Sequence, residues 1–356
     1  MNVFELMRQT NNNELVFFEE PTVSLRAVVA VNDLTLGPAI ATCRIQDIEN
    51  TDLGVQNTLL MALYNTYRAA LLHKPFGGAG LTLCGHTQQV KNEMFFRALG
   101  VFINKLNGKF YLVRSSSITH QDMKDIKRES DYLLGMNERY IMKGYTPVVA
   151  IAKGMIQGFR AIARKFLKQE VLDNLSFIVQ GVGEVGTALV RELLKLNDVS
   201  ITITDTVYDK IKIIQDIAPN VKVVKPQDIY KQKCDIFVSC GPNHLFNKEI
   251  VKQLNCKILT SSSNEPLAND DVEEVLAENN IPYIPGFIIN GGELIYLENE
   301  FKDNPPEILE KQYEEIYYMA SKLFEKAEEE GKSITKLAKE TATEYIQNVA
   351  SIKKLK

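Results

Sequence analysis

Residues 176–186 read SFIVQGVGEVG, and the run ALVRELLKL follows at once. An apolar strand-like segment leads into glycines at 181, 183 and 186, and the chain then takes on a helical pattern. Alone, GxGxxG is a weak signal. A strand before it, a helix after it and an acid at the end of the next strand make it a dinucleotide fingerprint. That acid is Asp205, which closes SITITD. Gly181 is needed for the tight turn, Gly183 for close approach of main chain to a pyrophosphate, and Gly186 for close packing of helix on strand. Glu184 and Val185 open the helix, whose N-terminal N–H groups supply the anion site. Asp205 accepts hydrogen bonds from an adenosine ribose and repels a 2′-phosphate, so the expected cofactor is NAD rather than NADP. The competing reading makes the glycines a bare strand-to-helix turn and Asp205 a helix cap.

Outward from this loop the pattern repeats. SITITD, VKVV, CDIFVSC, CKILTSSSN and IPYIPG are short apolar runs separated by helical segments. Such alternation is what a doubly wound parallel sheet, buried on both faces, produces. Before it, Pro147 opens PVVAIAKGMIQGFRAIARKFL, a long helix with proline in its first turn, where a missing N–H costs little. Further upstream the chain is α+β in character. ELVFFEEPTVSLRAVVAV reads as a hairpin or meander split by Pro21, residues 55–72 as a helix, and Thr119 as the cap of a helix bearing Asp122 and Asp125. The expected organisation is an N-terminal domain over 1–140 and a Rossmann-like domain over 141–330. The helical residues 331–356 are expected to pack back on the first.

The totals exclude several classes. With 356 residues, 45% hydrophobic and 24% charged, the chain has the composition of a globular protein of two domains. A net charge of -4 with scattered basic residues argues against nucleic acid as a partner. No stretch reaches a membrane span and no signal sequence is evident, so a cytoplasmic location is expected. The five cysteines are widely spaced without a CxxC pair, which indicates neither a disulfide framework nor a metal site. Cys84-Gly85-His86 places only two ligands on one short strand and does not complete a tetrahedron.

The order of these pieces resembles the Glu/Leu/Phe/Val dehydrogenase family, and within it the leucine/phenylalanine branch of the NAD-dependent amino acid dehydrogenases. The likeness runs through ELVFFEE, LTLGPAIATCR, RAALLHKPFGGAGL, MFFRALGVFINKLNGKF, PVVAIAKGMIQGFRAIA, QGVGEVG, CDIFVSC, SSSNEPL and YIPGFIINGGELI. It implies an N-terminal substrate domain, a Rossmann-like NAD domain, C-terminal helices returning to the first domain, and a homo-oligomer, a dimer or a multiple of one. On the cofactor side it implies Cys240, Gly241, Asn264 and Asn290 beside the glycine loop.

On the substrate side the chain departs from the family. A lysine that holds the substrate carboxylate is replaced by Arg68, and the lysine that acts as base by Gly80. The segment carrying a proton-transferring aspartate matches Arg114-Ser115-Ser116-Ser117. A glycine pair becomes Ala41-Thr42, and an aspartate late in the NAD domain becomes Gly286. Oxidative deamination needs a base for the attacking water and an acid for departing ammonia. Arginine stays protonated, and glycine and serine cannot stand in for those groups. Two readings follow: an oxidoreductase that reduces an imine or other unsaturated small carboxylate, or a catalytically silent homologue that binds NAD(H). Under the first, Arg68, Lys74, Arg114 and Ser115 are the candidate catalytic residues, with His73 nearby.

Overall fold

The computed structural model describes residues 2–46, 51–84, 91–115 and 118–355. Gly85, His86, Ser116 and Ser117, which enter the sequence reading, lie outside them. The chain divides into two compact units. One gathers Met1–Tyr145, Tyr296–Pro306 and Glu340–Lys356, the other Thr146–Ile295 and Glu307–Lys339.

The first unit is built on a mixed sheet of β1 (Glu14–Glu20), β2 (Leu25–Asp33), β3 (Ala39–Gln46), β4 (Gly77–Cys84), β5 (Phe110–Val113) and β6 (Leu133–Leu134), in the order β1-β2-β4-β3-β5-β6. β1 and β2 are an antiparallel pair joined through a 3-10 turn that begins at Pro21. β2 runs antiparallel to β4, and β3, β4, β5 and β6 are parallel to one another. One face carries α1 (Thr51–Leu71). The other carries α2 (Glu93–Lys105) and α3 (His120–Lys127), whose start is fixed by a capping box between Thr119 and Asp122. Phe95, Phe96, Leu99, Phe102, Ile103, Met123 and Ile126 fill the core on that second face with Ala79, Leu81 and Leu83 of β4. The alternate residues of β4, Gly78 and Gly80, face α1. A Cβ at Gly78 would fall 2.2 Å from the Ala62 carbonyl oxygen, and one at Gly80 2.5 Å from that of Thr58. Two positions further on, Thr82 and Thr58 join hydroxyls at 2.6 Å. Helix main chain therefore lies directly on strand main chain.

The second unit is an all-parallel sheet of β7 (Ser176–Gln180), β8 (Ser200–Thr204), β9 (Lys222–Val223), β10 (Cys234–Ser239), β11 (Cys256–Ser261) and β12 (Tyr283–Ile284). Its order, β12-β11-β10-β7-β8-β9, reverses direction between β7 and β10. That is the doubly wound Rossmann order, and its ligand crevice lies at such a reversal. α4 (Pro147–Ile162) begins as expected with Pro147 in its first turn and Thr146 as cap, and α5 (Glu184–Leu193) follows the glycine loop.

Two expectations about the domains need correction. The return to the first unit begins at Glu340, not at 331. Tyr296–Pro306, assigned by the sequence to the nucleotide domain, belongs to the first unit as well, and its contacts explain why. The Glu300 carboxylate accepts from the N–H groups of Gly135, Met136 and Asn137. Arg139 pairs with Asp303 at 2.7 Å, and Phe301 meets the rings of Phe76 and Tyr111 edge-on. Among the described residues no helix is long and apolar enough to cross a membrane.

Candidate functional site

The nucleotide side is assembled from loops at the C-terminal ends of the parallel strands. Gly181 N–H donates to the Thr204 carbonyl at 2.8 Å, Cys240 N–H to that of Gln180 at 2.7 Å, and Ser262 N–H to that of Ser239 at 2.8 Å. Each loop is thus pinned to the end of a neighbouring strand.

The three glycines divide their roles as the spacing requires. Gly181 has φ +90°, a left-handed conformation that favours glycine. A Cβ at Gly186 would lie 2.0 Å from the Gly181 oxygen, so this glycine is what lets helix close on strand. A Cβ at Gly183 would meet nothing within 4 Å. The protein leaves room there, as the close approach of a pyrophosphate expected from the spacing would require. Gly183 caps α5 without any side-chain hydrogen bond, so no capping side chain competes for the first-turn N–H groups beyond Glu184 and Val185.

Asp205 accepts from Val182 N–H at 2.8 Å and Val207 N–H at 2.9 Å, one on each carboxylate oxygen. It ties the glycine loop to the turn after β8 and keeps further lone pairs for a ribose. Asn290 donates to the Ser262 carbonyl and to Asn264 Oδ1, both at 2.9 Å, which joins two of the predicted cofactor residues. Burial pushes the Cys240 thiol up to about 11, against a hydrogen bond with Ser262. It stays a neutral wall of the loop that Gly241 continues. NAD fits this donor set and the open space at Gly183.

The first unit holds the candidates for substrate contact. Arg68, in the last turn of α1, is buried at 4% exposure. Its Nη1 donates to Asn65 Oδ1 at 3.1 Å. Asn65 in turn donates through Nδ2 to the Ala79 carbonyl at 2.8 Å and to Thr42 Oγ1 at 3.2 Å. Since those contacts take the amide nitrogen, the amide oxygen is turned toward the guanidinium. The sequence reading missed Asn65, although its position three residues before Arg68 puts both on one helical face.

Ser115 Oγ donates to the Cys43 carbonyl at 2.7 Å, which ties the chain after β5 to β3. Arg114 beside it is half-buried. Lys74, another of the candidate catalytic residues, is 6% exposed and paired with Glu298 at 2.9 Å. Burial pushes the Glu298 carboxyl up, but the ammonium groups of Lys302 and Lys74 outweigh it and hold it below the usual carboxylate range. His73 has φ +51° and stacks on Tyr345 with ring centroids 4.1 Å apart. Within this unit, Arg68, Asn65 and Thr42 form one connected group, whereas Lys74 and Ser115 engage other partners.

Gly80 and Gly286 are the two places where the resemblance expects a functional side chain and the sequence has none. In both, main chain occupies the volume. A Cβ at Gly286 would stand 2.0 Å from the Ser263 oxygen and 2.6 Å from that of Ser261.

A doubly wound sheet with this glycine loop, acid and paired asparagines defines an NAD-binding oxidoreductase fold. Comparison with known proteins narrows it. Residues 18–139 match the model described as Glu/Leu/Phe/Val dehydrogenase, dimerisation domain, and residues 207–355 match Glutamate/Leucine/Phenylalanine/Valine dehydrogenase. The phenylalanine dehydrogenase of Lysinibacillus sphaericus is 30% identical over 320 residues, 89% of this chain and 84% of that protein. The leucine dehydrogenase of Bacillus subtilis (strain 168) is 29% identical over 350 residues, covering 98% and 95%. The crystal structure of L-tryptophan dehydrogenase from Nostoc punctiforme superposes with a TM-score of 0.78 at 28% identity, covering 98% of this chain and 99% of that one. The chain belongs to the Glu/Leu/Phe/Val dehydrogenase family.

Proposed function

We propose that this chain is an NAD-dependent oxidoreductase that reduces an already formed imine, or a related unsaturated carboxylate, and does not oxidatively deaminate a common amino acid. The observation that carries the reading is the contrast between its two halves. The nucleotide loops keep each glycine role and the Asp205 clamp, while Gly80, at the position of the family's base, is walled in by the main chain of α1. Ser115 keeps its hydroxyl proton directed at the Cys43 carbonyl. When bound, NADH supplies the hydride. Arg68, oriented by Asn65, supplies a fixed cation for the substrate carboxylate, for which a planar guanidinium is suited. A homo-oligomer in the cytoplasm, without nucleic acid or membrane partners, completes the proposal.

The catalytically silent reading draws support from one specific feature: both Gly80 and Gly286 have their side-chain volume occupied by main chain. NADH oxidation assays separate the two. Cyclic imino acids such as 1-pyrroline-2-carboxylate and 1-piperideine-2-carboxylate suit the test, because ring closure maintains the imine without help from an enzyme. The expected result is turnover of a cyclic imine, a KM raised about tenfold or more in Arg68→Ala, and no turnover of 4-methyl-2-oxopentanoate with ammonia. NADH binding without turnover of any of these supports the silent reading. Reductive amination at about 1 s⁻¹ or more, the range of ordinary enzymes, overturns both.

A further inference from the structure

The fold brings together two cysteines that stand far apart in the sequence. Cys234 and Cys256 are the first residues of β10 and β11 and are direct partners in the parallel register. The register is fixed at that end by the Cys234 N–H, which donates to the Asn255 carbonyl at 3.1 Å. Both side chains enter the same apolar cluster, with Ile178, Phe237 and Leu259, so both lie on one face of the sheet. Cys234 is 4% exposed and Cys256 half-buried. A hydrogen bond with Cys256, and then burial, push the Cys234 thiol far up. The two sulfurs are thus held against each other, and Cys256 is the member that solvent reaches.

We propose that Cys234 and Cys256 are a reversible disulfide site that answers a hydroperoxide. Adjacent strands stand about 4.7–4.9 Å apart, within the Cα separation of roughly 4.4–6.8 Å that disulfides span. The Cys256 sulfur attacks one oxygen of hydrogen peroxide, the O–O bond breaks, and the thiol proton leaves with the departing oxygen as water, so that a sulfenic acid remains. Cys234 sulfur then attacks the Cys256 sulfur. The S–S bond forms, the S–O bond breaks, and the Cys234 proton leaves with the hydroxyl as water. Two thiols are oxidised and one peroxide is reduced to two waters. The bridge joins the starts of two interior strands whose far ends carry Cys240-Gly241 and Ser262–Asn264, so it forms at the end of the strands opposite the nucleotide loops.

The test treats the reduced full-length protein with hydrogen peroxide, alkylates it, unfolds it and maps its thiols by mass spectrometry. The expected result is loss of two hydrogens in most molecules, a crosslink between the peptides containing Cys234 and Cys256, and reversal by dithiothreitol. Cys256→Ser should abolish the crosslink and Cys43→Ala should leave it intact. The half-buried Cys256 makes the serine variant compatible with folding, which circular dichroism checks, so the test does not depend on substituting buried Cys234. Oxygen added at Cys256 with Cys234 still alkylated after unfolding overturns the proposal, as does a bridge to Cys240 or between chains.

Discussion

Gly80→Lys, which places a lysine where the resemblance expects the family's base, should damage this protein without conferring amino acid dehydrogenase activity. The reason is in the contact between β4 and α1. A Cβ at position 80 lies 2.5 Å from the Thr58 oxygen, 2.9 Å from Met61 Cβ and 3.2 Å from the Ala62 nitrogen. Two of those three atoms are main chain, so rotation of a side chain cannot relieve them. α1 has to withdraw by about 1 Å, and overpacking of this kind costs about 1–3 kcal/mol. In a domain of roughly 150–250 residues that lowers Tm by about 2–12 °C. Gly80→Ala isolates this steric part. Gly80→Lys adds an ammonium at a buried position and should lose at least as much. Scanning fluorimetry of both variants, with NADH formation followed on leucine, valine and phenylalanine, gives the two readouts. A Gly80→Lys protein with wild-type Tm would refute the packing argument. Wild-type amino acid oxidation near 1 s⁻¹ would show that another residue supplies the base.

NADH should bind in preference to NADPH, and Asp205→Ala should weaken NADH by about 10–100-fold, the worth of a hydrogen bond to a charged acceptor, while narrowing the preference. Fluorescence titration checks both, and equal affinity for the two cofactors counts against the assigned role. Light scattering should report a multiple of the 40.2 kDa chain at micromolar concentration, whereas a monomer mass contradicts the expected assembly. Glu298 and Glu300 should bend the stability–pH curve in opposite directions. Glu298 is held low by Lys302 and Lys74, so its contribution exists above about pH 4.5 and disappears as pH falls through its folded value. Glu300 is held high by burial despite three N–H donors, so its contribution is complete below about pH 4.5 and is lost as pH rises through its folded value. Tm measured from pH 3 to 7 for Glu298→Gln and Glu300→Gln should show the acid-side loss reduced in the first and the alkaline-side loss reduced in the second.

The nucleotide half was legible in the sequence because its signal is local. Gly181, Gly183 and Gly186 lie within one turn and a short helix start, and Asp205 is one strand away, so spacing alone carries the geometry. The Asn65 link was within reach for the same reason, being three residues from Arg68, but nothing local says that its amide nitrogen is taken by β3 and β4. What could not be read is what depends on distant contacts. The Lys74–Glu298 pair, the capture of Gly135–Asn137 by Glu300 and the juxtaposition of Cys234 with Cys256 arise only when the sheets are assembled. That Gly80 stands where the resemblance expects a lysine could be read from the sequence, while the helix main chain beside it could not.

The three hydrogen bonds that pin the nucleotide loops, from Gly181 to Thr204, Cys240 to Gln180 and Ser262 to Ser239, run from peptide to peptide. No side chain takes part in them, so their existence does not depend on which residues occupy those positions, provided the backbone can reach. The scaffold for the cofactor is therefore tolerant of sequence drift in a way that a constellation of lysines and aspartates is not. One half of such a protein can be rewritten while the other still recognises the same dinucleotide.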